Sequence, residues 1–552
     1  MIENMKNWWR SGTPWIWLNA GAVSISLLLV LGILGMIMVK GMGHFWVADI
    51  YEMQYDDGKS RVVIGEKIET AEVPLLLYKE VEGKDKPENV EIIERLLVKS
   101  GNRDQSADFQ WIYSHNIQSE STPDDLIKLE RLEWGNFYGY LKNVQQAGKI
   151  VATDERAWDE LSTRFERVLD LREKLELLEK DEISSINYGL ERLRLNKRKL
   201  ELDKEDSPEN LQIIKDKENA FNAEYEIIIQ ELNALRKDIS RDSASFVTST
   251  GAIVTIPLKM MVSILKPNQM GVFAKLGHYV LNFYNFIFDE PREANTEGGV
   301  FPAIFGTVMM VILMSILVTP FGVVAAIYLR EYAKQGPVIR LIRIAVNNLA
   351  GVPSIVYGVF GLGFFVYFMG GNIDQLFYAE ALPAPTFGTP GLIWASLTLA
   401  LLTVPVVIVS TEEGLARIPR NLREGSLALG ATKIETLWRV VLPMTSPAIM
   451  TGLILAVARA AGEVAPLMLV GVVKLAPELP LDDNFPFLHM ERKFMHLGFH
   501  IFDVGFQSPN VEAARPLVYA TAFLLVLVIV LLNLSAIMLR NRLREKFKAL
   551  DA

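Results

Sequence analysis

Two opposite charges lie inside an apolar stretch in the C-terminal half of the sequence. Arg459 and Glu463 are four residues apart, between the segments AVA and VAPLMLV, so a helix would place both on one face. A charge inside a bilayer is costly unless it is paired or hydrated. The guanidinium of Arg459 offers several donors at once, which suits the oxygens of an oxyanion, and Glu463 would hold it in place. The pair predicts either an anion-binding group on a path through the membrane or an ion pair that locks helix packing.

Three histidines lie further along the chain. His489, His496 and His500 include one pair with the i, i+4 spacing of a helical metal site. In the zinc motif with this spacing a Glu follows the first His, whereas Leu497 stands there in this sequence. The apolar residues of the segment favour a helix on the membrane surface; they are Met490, Phe494, Leu497 and Ile501. We therefore expect no metal site and no cofactor bound by this chain. No Ser-His-Asp pattern stands out in the sequence either, so we expect no enzyme active site.

A short charged segment upstream separates two apolar stretches. It begins with a predicted helical turn around Glu424, which ends at Gly430, a residue suited to a left-handed C-cap. Thr432 and Glu435 then form a capping box for a second helix, which is expected to end at Pro443. One apolar face is predicted for that helix, formed by Ile434, Leu437, Trp438 and Val441. Such a face predicts a groove on a partner protein.

A DNA-binding helix-turn-helix fits the same pattern loosely. Apolar stretches close to both sides of the segment and the formal net charge of −9 argue against nucleic acid as a partner. The segment is therefore expected to bind protein.

Six apolar stretches are long enough to cross a hydrocarbon core of about 30 Å, which takes about 20 helical residues. Half of the 552 residues are apolar, which fits a multi-pass membrane protein. The predicted spans are residues 15–39, 300–329, 344–369, 392–410, 449–473 and 517–539. The first is too long for the apolar core of a signal peptide and lacks a cleavage site after Val39, so we expect it to be retained.

Basic residues predict the orientation. They gather after residue 539 and in the connection that follows the second span, whereas the loop 370–388 has acidic residues and no basic one. The positive-inside rule places the first two regions in the cytoplasm and the loop outside. Lys6 and Arg10 place the N-terminus in the cytoplasm too. Both termini and the segment with Trp438 are thus predicted to be cytoplasmic, and the region after the first span external.

That external region, residues 41–297, is too long for a loop and must hold a domain. Heptads predict an antiparallel coiled-coil hairpin over about 153–239, with a four-residue shift in the first helix and a turn at Ser207-Pro208. At about 1.5 Å per residue, the first helix would be a rod of roughly 75 Å that projects from the membrane. The flanking segments 61–70 and 108–117 alternate like strands and predict a small α+β element at its base. Without any cysteine, the domain must fold by packing alone. The hairpin is either a self-packed appendage or a docking surface for a soluble partner.

The charged segment resembles a known motif. The series Glu424, Gly430, Val440, Leu442 and Pro443 matches the EAA loop of ABC importer permeases. Residues 347–363 (NNLAGVPSIVYGVFGLG), 410–433 (STEEGLARIPRNLREGSLALGATK) and 458–471 (ARAAGEVAPLMLVG) resemble the PstA-type permeases of phosphate-specific ABC importers. The similarity runs from about residue 298 to the C-terminus and, loosely, over the first span.

Three departures from that family are visible. Gly425 and Ser426 stand where the family usually has two alanines, and Gly425 should weaken its helical turn by up to about 1 kcal/mol. The region after the first span is much longer, and the segment 489–500 replaces a shorter connection.

The resemblance implies an α-helical membrane protein: six transmembrane helices of the MetI-like type I importer permease fold plus the external α+β domain with its hairpin. Residues 1–40 would form the N-terminal segment and first span, residues 41–297 the external insertion, and residues 298–552 the permease core. Within the core, residues 411–448 approximately would be a coupling loop that fits into a cleft of an ATP-binding subunit. The residues implied in coupling are Glu424, Gly430, Ile434, Leu437, Trp438, Val441 and Pro443, and Arg459 and Glu463 would lie on the substrate pathway.

The implied partners are a related second permease, two ATP-binding subunits that carry ATP and Mg, an external phosphate-binding protein, phosphate and the lipid of a bacterial inner membrane. The chain lacks a G-x-x-x-x-G-K-[ST] segment, so ATP hydrolysis would be supplied by a separate subunit. Two alternatives stay open: a permease for another oxyanion such as sulfate or molybdate, and a membrane sensor or scaffold that uses the external rod.

Overall fold

The computed structural model describes residues 11–74, 92–105, 107–508 and 511–548. Within this part of the chain, six helices are long and apolar enough to cross a membrane. They are numbered here as spans in chain order: Thr13–Gly43, Phe301–Tyr332, Ser354–Phe377, Leu392–Arg417, Lys433–Ala460 and Ala514–Arg542. Their number and order agree with the prediction. Lys6 and Arg10, on which the predicted location of the N-terminus depends, lie outside the described residues.

Two predicted span boundaries are wrong. The third span begins at Ser354 rather than at residue 344, because the extended backbone of Pro353 separates it from the helix Pro337–Leu349. The fifth span is Lys433–Ala460 rather than 449–473. Its helix therefore begins well before the most apolar residues and ends in the middle of them.

The fourth span is the centre of the membrane core. It packs between the second and fifth spans, and small residues allow the helices to approach closely. A Cβ atom on Gly322 would lie 2.6 Å from a methyl carbon of Val407, and one on Gly414 would lie 2.4 Å from the Cβ of Ala448. The first span is exposed along its apolar window and contacts the sixth near Gly41 and Tyr519.

The described part of the insertion contains two large antiparallel sheets rather than one small element. The first sheet has the strand order β4-β3-β2-β1-β5, and the second has the order β10-β9-β7-β6-β11 with β8 paired to β7. The strands are β1 Tyr51–Asp56, β2 Ser60–Pro74, β3 Ile92–Lys99, β4 Phe109–Tyr113, β5 Ile117–Ser121, β6 Leu126–Arg131, β7 Phe137–Gln146, β8 Lys149–Thr153, β9 Asp242–Val247, β10 Ile253–Pro257 and β11 Met261–Leu265. The second sheet is larger than predicted because three strands from beyond the hairpin complete it.

An antiparallel helical hairpin rises from the second sheet, as predicted. Its first arm consists of Glu155–Leu177, a π turn at Leu178–Glu182 and Ile183–Asp203; the second arm is Pro208–Ile239. The π turn lies where the heptad series shifts. Arg167 pairs with Asp238 and Arg236 with Glu179, so the two arms run in opposite directions. Ser207 caps the second arm as expected, accepting a hydrogen bond from the Asn210 amide.

The hairpin also contacts the C-terminal membrane core. Its first arm bonds residues 474–493, which are part of the connection between the fifth and sixth spans and which we call the outer loop. Tyr188 and Arg192 bond the backbone carbonyl of Phe485 in this loop. Lys180 also pairs with Glu290 at 2.7 Å, just before the second span. Polar and aromatic residues outside the heptad positions thus attach the hairpin to the C-terminal membrane core.

The expected surface helix around residues 490–501 is also wrong. Only Leu497–Phe502 is helical there, and Phe494 and Leu497 are buried against the second and sixth spans. The Leu497 amide donates to the Thr307 hydroxyl at 3.0 Å. Two of the four apolar residues that suggested a membrane surface, Phe494 and Leu497, therefore belong to the protein core.

Candidate functional site

The helix Arg420–Ala428 carries Glu424 with its side chain exposed, and Gly430 ends this element. Gly430 has φ +89°, a left-handed conformation that a residue with a Cβ adopts only with strain. Its amide donates to the carbonyl of Leu427 at 3.0 Å, and the Ala431 amide donates to that of Ser426. The predicted C-cap is confirmed.

The predicted capping box is confirmed too. The Thr432 hydroxyl accepts from the Glu435 amide at 3.3 Å, and a carboxylate oxygen of Glu435 accepts from the Thr432 amide at 2.8 Å. These bonds fix the direction in which the chain enters the fifth span.

Pro443 does not end the helix. The chain is helical from Lys433 to Ala460, and a π turn at Leu437–Val441 lies immediately before Pro443. Proline has no amide hydrogen to donate to the helix. The wider π turn accommodates this missing hydrogen bond, so the helix continues. The part of the charged segment from Lys433 onward is therefore the beginning of the fifth span.

The four apolar residues of this helix do not form one exposed face. Leu437 is 8% exposed and Val441 is fully buried, packed with Leu415 and Ile418 at the end of the fourth span. Ile434 and Trp438, in contrast, are 68% and 71% exposed. Half of the predicted face fixes the loop to its own membrane core, and the other half is available to a partner.

Three leucines that the sequence interpretation missed extend the exposed half. Leu429, next to Gly430, is 91% exposed, and the helix before it contributes two more. We define the exposed patch as Leu422, Leu427, Leu429, Ile434 and Trp438. In the sequence, this patch could have been recognised from Leu422 and Leu429, which are seven residues apart and precede the C-cap.

An ion pair joins this loop to the second span. Arg423 pairs with Glu331 at 3.0 Å and donates to the carbonyl of Leu415 at 2.8 Å. Lys433 donates to the backbone carbonyl of Glu331 and lies 4.4 Å from the ring centroid of Tyr332. The loop is thus bonded to the second span as well as continuous with the fifth. Sequence reasoning assigned no role to Arg423 or Glu331.

Arg459 and Glu463 lie together, although not on one helix. Arg459 is in the last turn of the fifth span, and Glu463 is in the turn that follows, with 3.6 Å between Nε and Oε1. Both side chains are partly buried, 34% and 20% exposed. The negative end of the helix dipole stabilises a cation at the position of Arg459.

The break after Ala460 shapes the surroundings of this pair. A short helix, Leu467–Val470, continues the path and packs against the third span near Gly358, where a Cβ would lie 2.7 Å from Pro466. Non-helical backbone at membrane depth is tolerated where protein buries it or where it lines a cavity. Arg459 is also close enough to Tyr357 of the third span for an electrostatic interaction. The pair therefore lies at a helix break next to the third span.

The three histidines do not form a site. His489 is buried between Asp482 and Glu491, at 3.0 and 3.1 Å, and His496 accepts from the Gly498 amide. Burial lowers the pKa of His496 to about 4. Among the described residues, no three His, Cys, Asp or Glu side chains are grouped so that they could hold a metal ion.

Comparisons with known proteins agree with this geometry. Residues 318–547 match the family described as binding-protein-dependent transport system inner membrane component. The chain is 32% identical over 249 residues to the phosphate transport system permease protein PstA of Mycobacterium leprae, covering 44% of this chain and 73% of that protein. It is 33% identical over 244 residues to PstA 1 of Mycobacterium tuberculosis (strain CDC 1551 / Oshkosh), covering 44% and 71%. A solved structure of the methionine ABC transporter MetNI, in an inward-facing conformation, covers 44% of this chain and 94% of its own, with 17% identity and a TM-score of 0.32.

Six membrane spans and an EAA-type loop joined to two of them define a permease subunit of an ABC importer, with the MetI-like fold. Within the family of binding-protein-dependent transport inner membrane components, the chain belongs to the PstA-type permeases. The resemblance found in the sequence is confirmed. The family match begins only at residue 318, so the insertion lies outside it.

Proposed function

We propose that this chain is the permease subunit of an ATP-driven importer that moves inorganic phosphate across a bacterial inner membrane. The observation that carries the proposal is the 32% identity to a phosphate permease over 73% of that protein's length. The exposed patch supports the ATP-driven part, because a soluble partner could bind it and act on the spans beneath.

The patch would fit into a cleft of an ATP-binding subunit, which carries the ATP and Mg. Ile434 and Trp438 would make the contact, while Leu437 and Val441 transmit movement to the membrane core. Gly430 and Pro443 would set the path of the chain, and Glu424 lies exposed beside the contact. The Arg423–Glu331 pair would carry the same movement to the second span.

Arg459 would meet the transported anion at the end of the fifth span. Its guanidinium matches phosphate oxygens in a bidentate geometry. Glu463 would compete for that guanidinium, which weakens anion binding enough for release. The location at a helix break beside the third span supports this role, since a break can open and close more easily than a straight helix.

The assembly would contain a related second permease, two ATP-binding subunits and an external phosphate-binding protein. Both termini would be cytoplasmic and the insertion periplasmic. The hairpin contacts the outer loop, so both lie on one side of the membrane, and the exposed patch lies at the opposite end of the fifth span. This arrangement supports the predicted topology.

Uptake of phosphate into vesicles that contain this chain and its co-purifying partners tests the proposal. We expect uptake that requires ATP and that sulfate and molybdate do not inhibit. Inhibition by sulfate or molybdate instead would favour the other-oxyanion alternative. Absence of uptake of all three anions, in complexes that retain ATPase activity, would contradict a transport function and favour a sensor or scaffold.

A further inference from the structure

The helix Val272–Phe288, which precedes the second span, has an exposed apolar face. Its 17 residues contain only one Lys and one His with basic side chains and no acidic residue. Large apolar and aromatic side chains recur at helical spacing along one side, and each is at least 49% exposed: Phe273, Leu276, Val280, Leu281, Tyr284 and Phe288. Phe273, at 90%, has almost no protein contact. In water this arrangement is unfavourable.

The polar side of the same helix is turned inward. Lys275 is buried and pairs with Asp49, and the side-chain amide of Asn282 donates to the Phe45 carbonyl at 3.1 Å. A surface helix of a soluble domain has the opposite arrangement, with polar residues outside. The helix therefore has Lys275 and Asn282 bonded on its inner side and leaves an uncharged face outside.

The helix lies at the ends of two spans on the side of the insertion. Phe45, just after the first span, packs against Phe283 and Phe286 with ring centroids 5.3 and 5.1 Å apart. The Val300 amide, just before the second span, donates to the Phe286 carbonyl at 2.8 Å. The exposed face thus continues the apolar surface of these spans.

We propose that the 272–288 helix lies in the interfacial layer of the bilayer, with the face from Phe273 to Phe288 against lipid. Continuity with the surface of the first two spans favours lipid as the occupant, and Phe and Tyr side chains suit this layer. The helix would hold the two sheets of the insertion at a fixed height, because its inner side bonds the chain at Phe45 and Asp49. Because Lys275 pairs with Asp49 on the inner side of the helix, binding of the helix to the bilayer should not depend on anionic headgroups.

The absence of cysteine makes a direct test simple. Single variants Phe273→Cys, Val280→Cys and Tyr284→Cys, in the full chain, would be spin-labelled in phosphatidylcholine nanodiscs. The control is Leu177→Cys, 55% exposed on the hairpin. We expect the ratio of oxygen to nickel-chelate accessibility to be severalfold higher at the three helix positions than at the control, with or without added phosphatidylglycerol.

Three outcomes would overturn the proposal. A ratio equal to that of Leu177→Cys would show that the face is in water. If the labels were shielded from both oxygen and the nickel chelate, and only when partner subunits are bound, protein rather than lipid would cover the face. A raised ratio that requires phosphatidylglycerol would show recognition of charge, which this face does not offer.

Discussion

The phenol of Tyr188, on the hairpin, donates a hydrogen bond to the backbone carbonyl of Phe485 in the outer loop, with 2.6 Å between the two oxygens. Arg192 bonds the same carbonyl at 3.2 Å and lies over the Phe485 ring. The outer loop is in turn bonded to the fourth span, because the Leu392 amide donates to the Arg492 carbonyl at 2.9 Å. The insertion is therefore connected through this loop to the spans that flank the exposed patch.

Removing the two hairpin groups should loosen the outer loop. In the double variant Tyr188→Phe and Arg192→Ala, loss of about 1 kcal/mol per hydrogen bond should speed amide hydrogen exchange in the loop by roughly tenfold or more. Mass spectrometry of peptides covering residues 478–492 measures this. Arg194→Ala is the matched control, since Arg194 pairs only with Glu191 among the contacts described for it. Unchanged exchange in the double variant would show that the loop holds its shape without the hairpin.

Trp438→Asp should uncouple ATP hydrolysis from transport. Trp438 is the largest side chain of the exposed patch, and a central Trp commonly contributes about 2 kcal/mol or more to an interface. We expect uptake per ATP hydrolysed to fall by roughly tenfold or more. Ile227→Asp, at a 68% exposed position on the hairpin, is the control and should leave this ratio unchanged. Normal coupling in a fully assembled Trp438→Asp complex would exclude the patch as the coupling surface.

Leu437→Ala should act differently from its neighbour. Leu437 is buried with Leu415 and Ile418, so its truncation leaves a cavity in the membrane core rather than a gap in an interface. We expect a loss of about 2–4 kcal/mol in the stability of the chain. The thermal midpoint of the purified permease in detergent measures this. Ile434→Ala, at a 68% exposed position, provides the comparison. If Ile434→Ala lost more thermal stability than Leu437→Ala, the division of the apolar face into a buried half with Leu437 and an exposed half with Ile434 would be contradicted.

Acid should weaken the base of the hairpin at Asp242. This buried carboxylate contacts Arg164 and Arg167, each at 2.8 Å, and Arg241 at 3.1 Å. Burial raises the pKa of Asp242, but the hydrogen bond from Arg241 and the charges of the other two arginines outweigh it, so the pKa is lowered from 3.8. The stabilisation is complete above the unfolded value and is lost as pH falls through the lower, folded value.

We therefore expect thermal stability of the hairpin base to be constant from neutral pH to about pH 5 and to fall below about pH 4. Asp242→Asn should cost about 3 kcal/mol at neutral pH, since it removes the buried carboxylate that three arginines share, and should flatten the acid-dependent decrease. Hydrogen exchange of β9 and the adjoining helix end measures both effects. Asp216→Asn, an exposed carboxylate of the same hairpin, controls for titration elsewhere. An unaltered acid profile in Asp242→Asn would assign the decrease to other groups.

Local signals in the sequence were sufficient for the spans, the hairpin and the loop caps. The capping box depends only on Thr432 and Glu435, three residues apart, and the end of the preceding helix depends on a single glycine, Gly430. Apolar length alone predicted the number and order of the six spans, although not the boundaries of the third and fifth, and heptad spacing predicted the positions of both arms of the hairpin. Each of these features is determined by neighbours along the chain.

Features that depend on distant neighbours were not predicted. Leu437 and Trp438 are adjacent and both apolar, yet one is 8% and the other 71% exposed, because the fourth span packs on only one side of the helix. Tyr188 and Phe485 are separated by 297 residues, and no periodicity reports their contact. The helix was likewise expected to stop at Pro443. Residue types alone do not show that a π turn accommodates this proline, so its effect on the helix was predicted wrongly.

Arg459→Lys tests whether the cation near the helix break binds the transported anion. Lysine keeps the positive charge and a favourable interaction with the helix end, but it loses the planar fork that binds two phosphate oxygens at once. If Arg459 contacts phosphate, uptake should fall by roughly tenfold while the thermal midpoint of the assembled complex is retained. Glu463→Gln is the companion variant: it removes the competing carboxylate at 3.6 Å and should tighten phosphate binding while slowing release. Full uptake by Arg459→Lys would show that a bidentate contact is unnecessary. Loss of thermal stability in both variants, with uptake per folded complex unchanged, would assign the pair to helix packing.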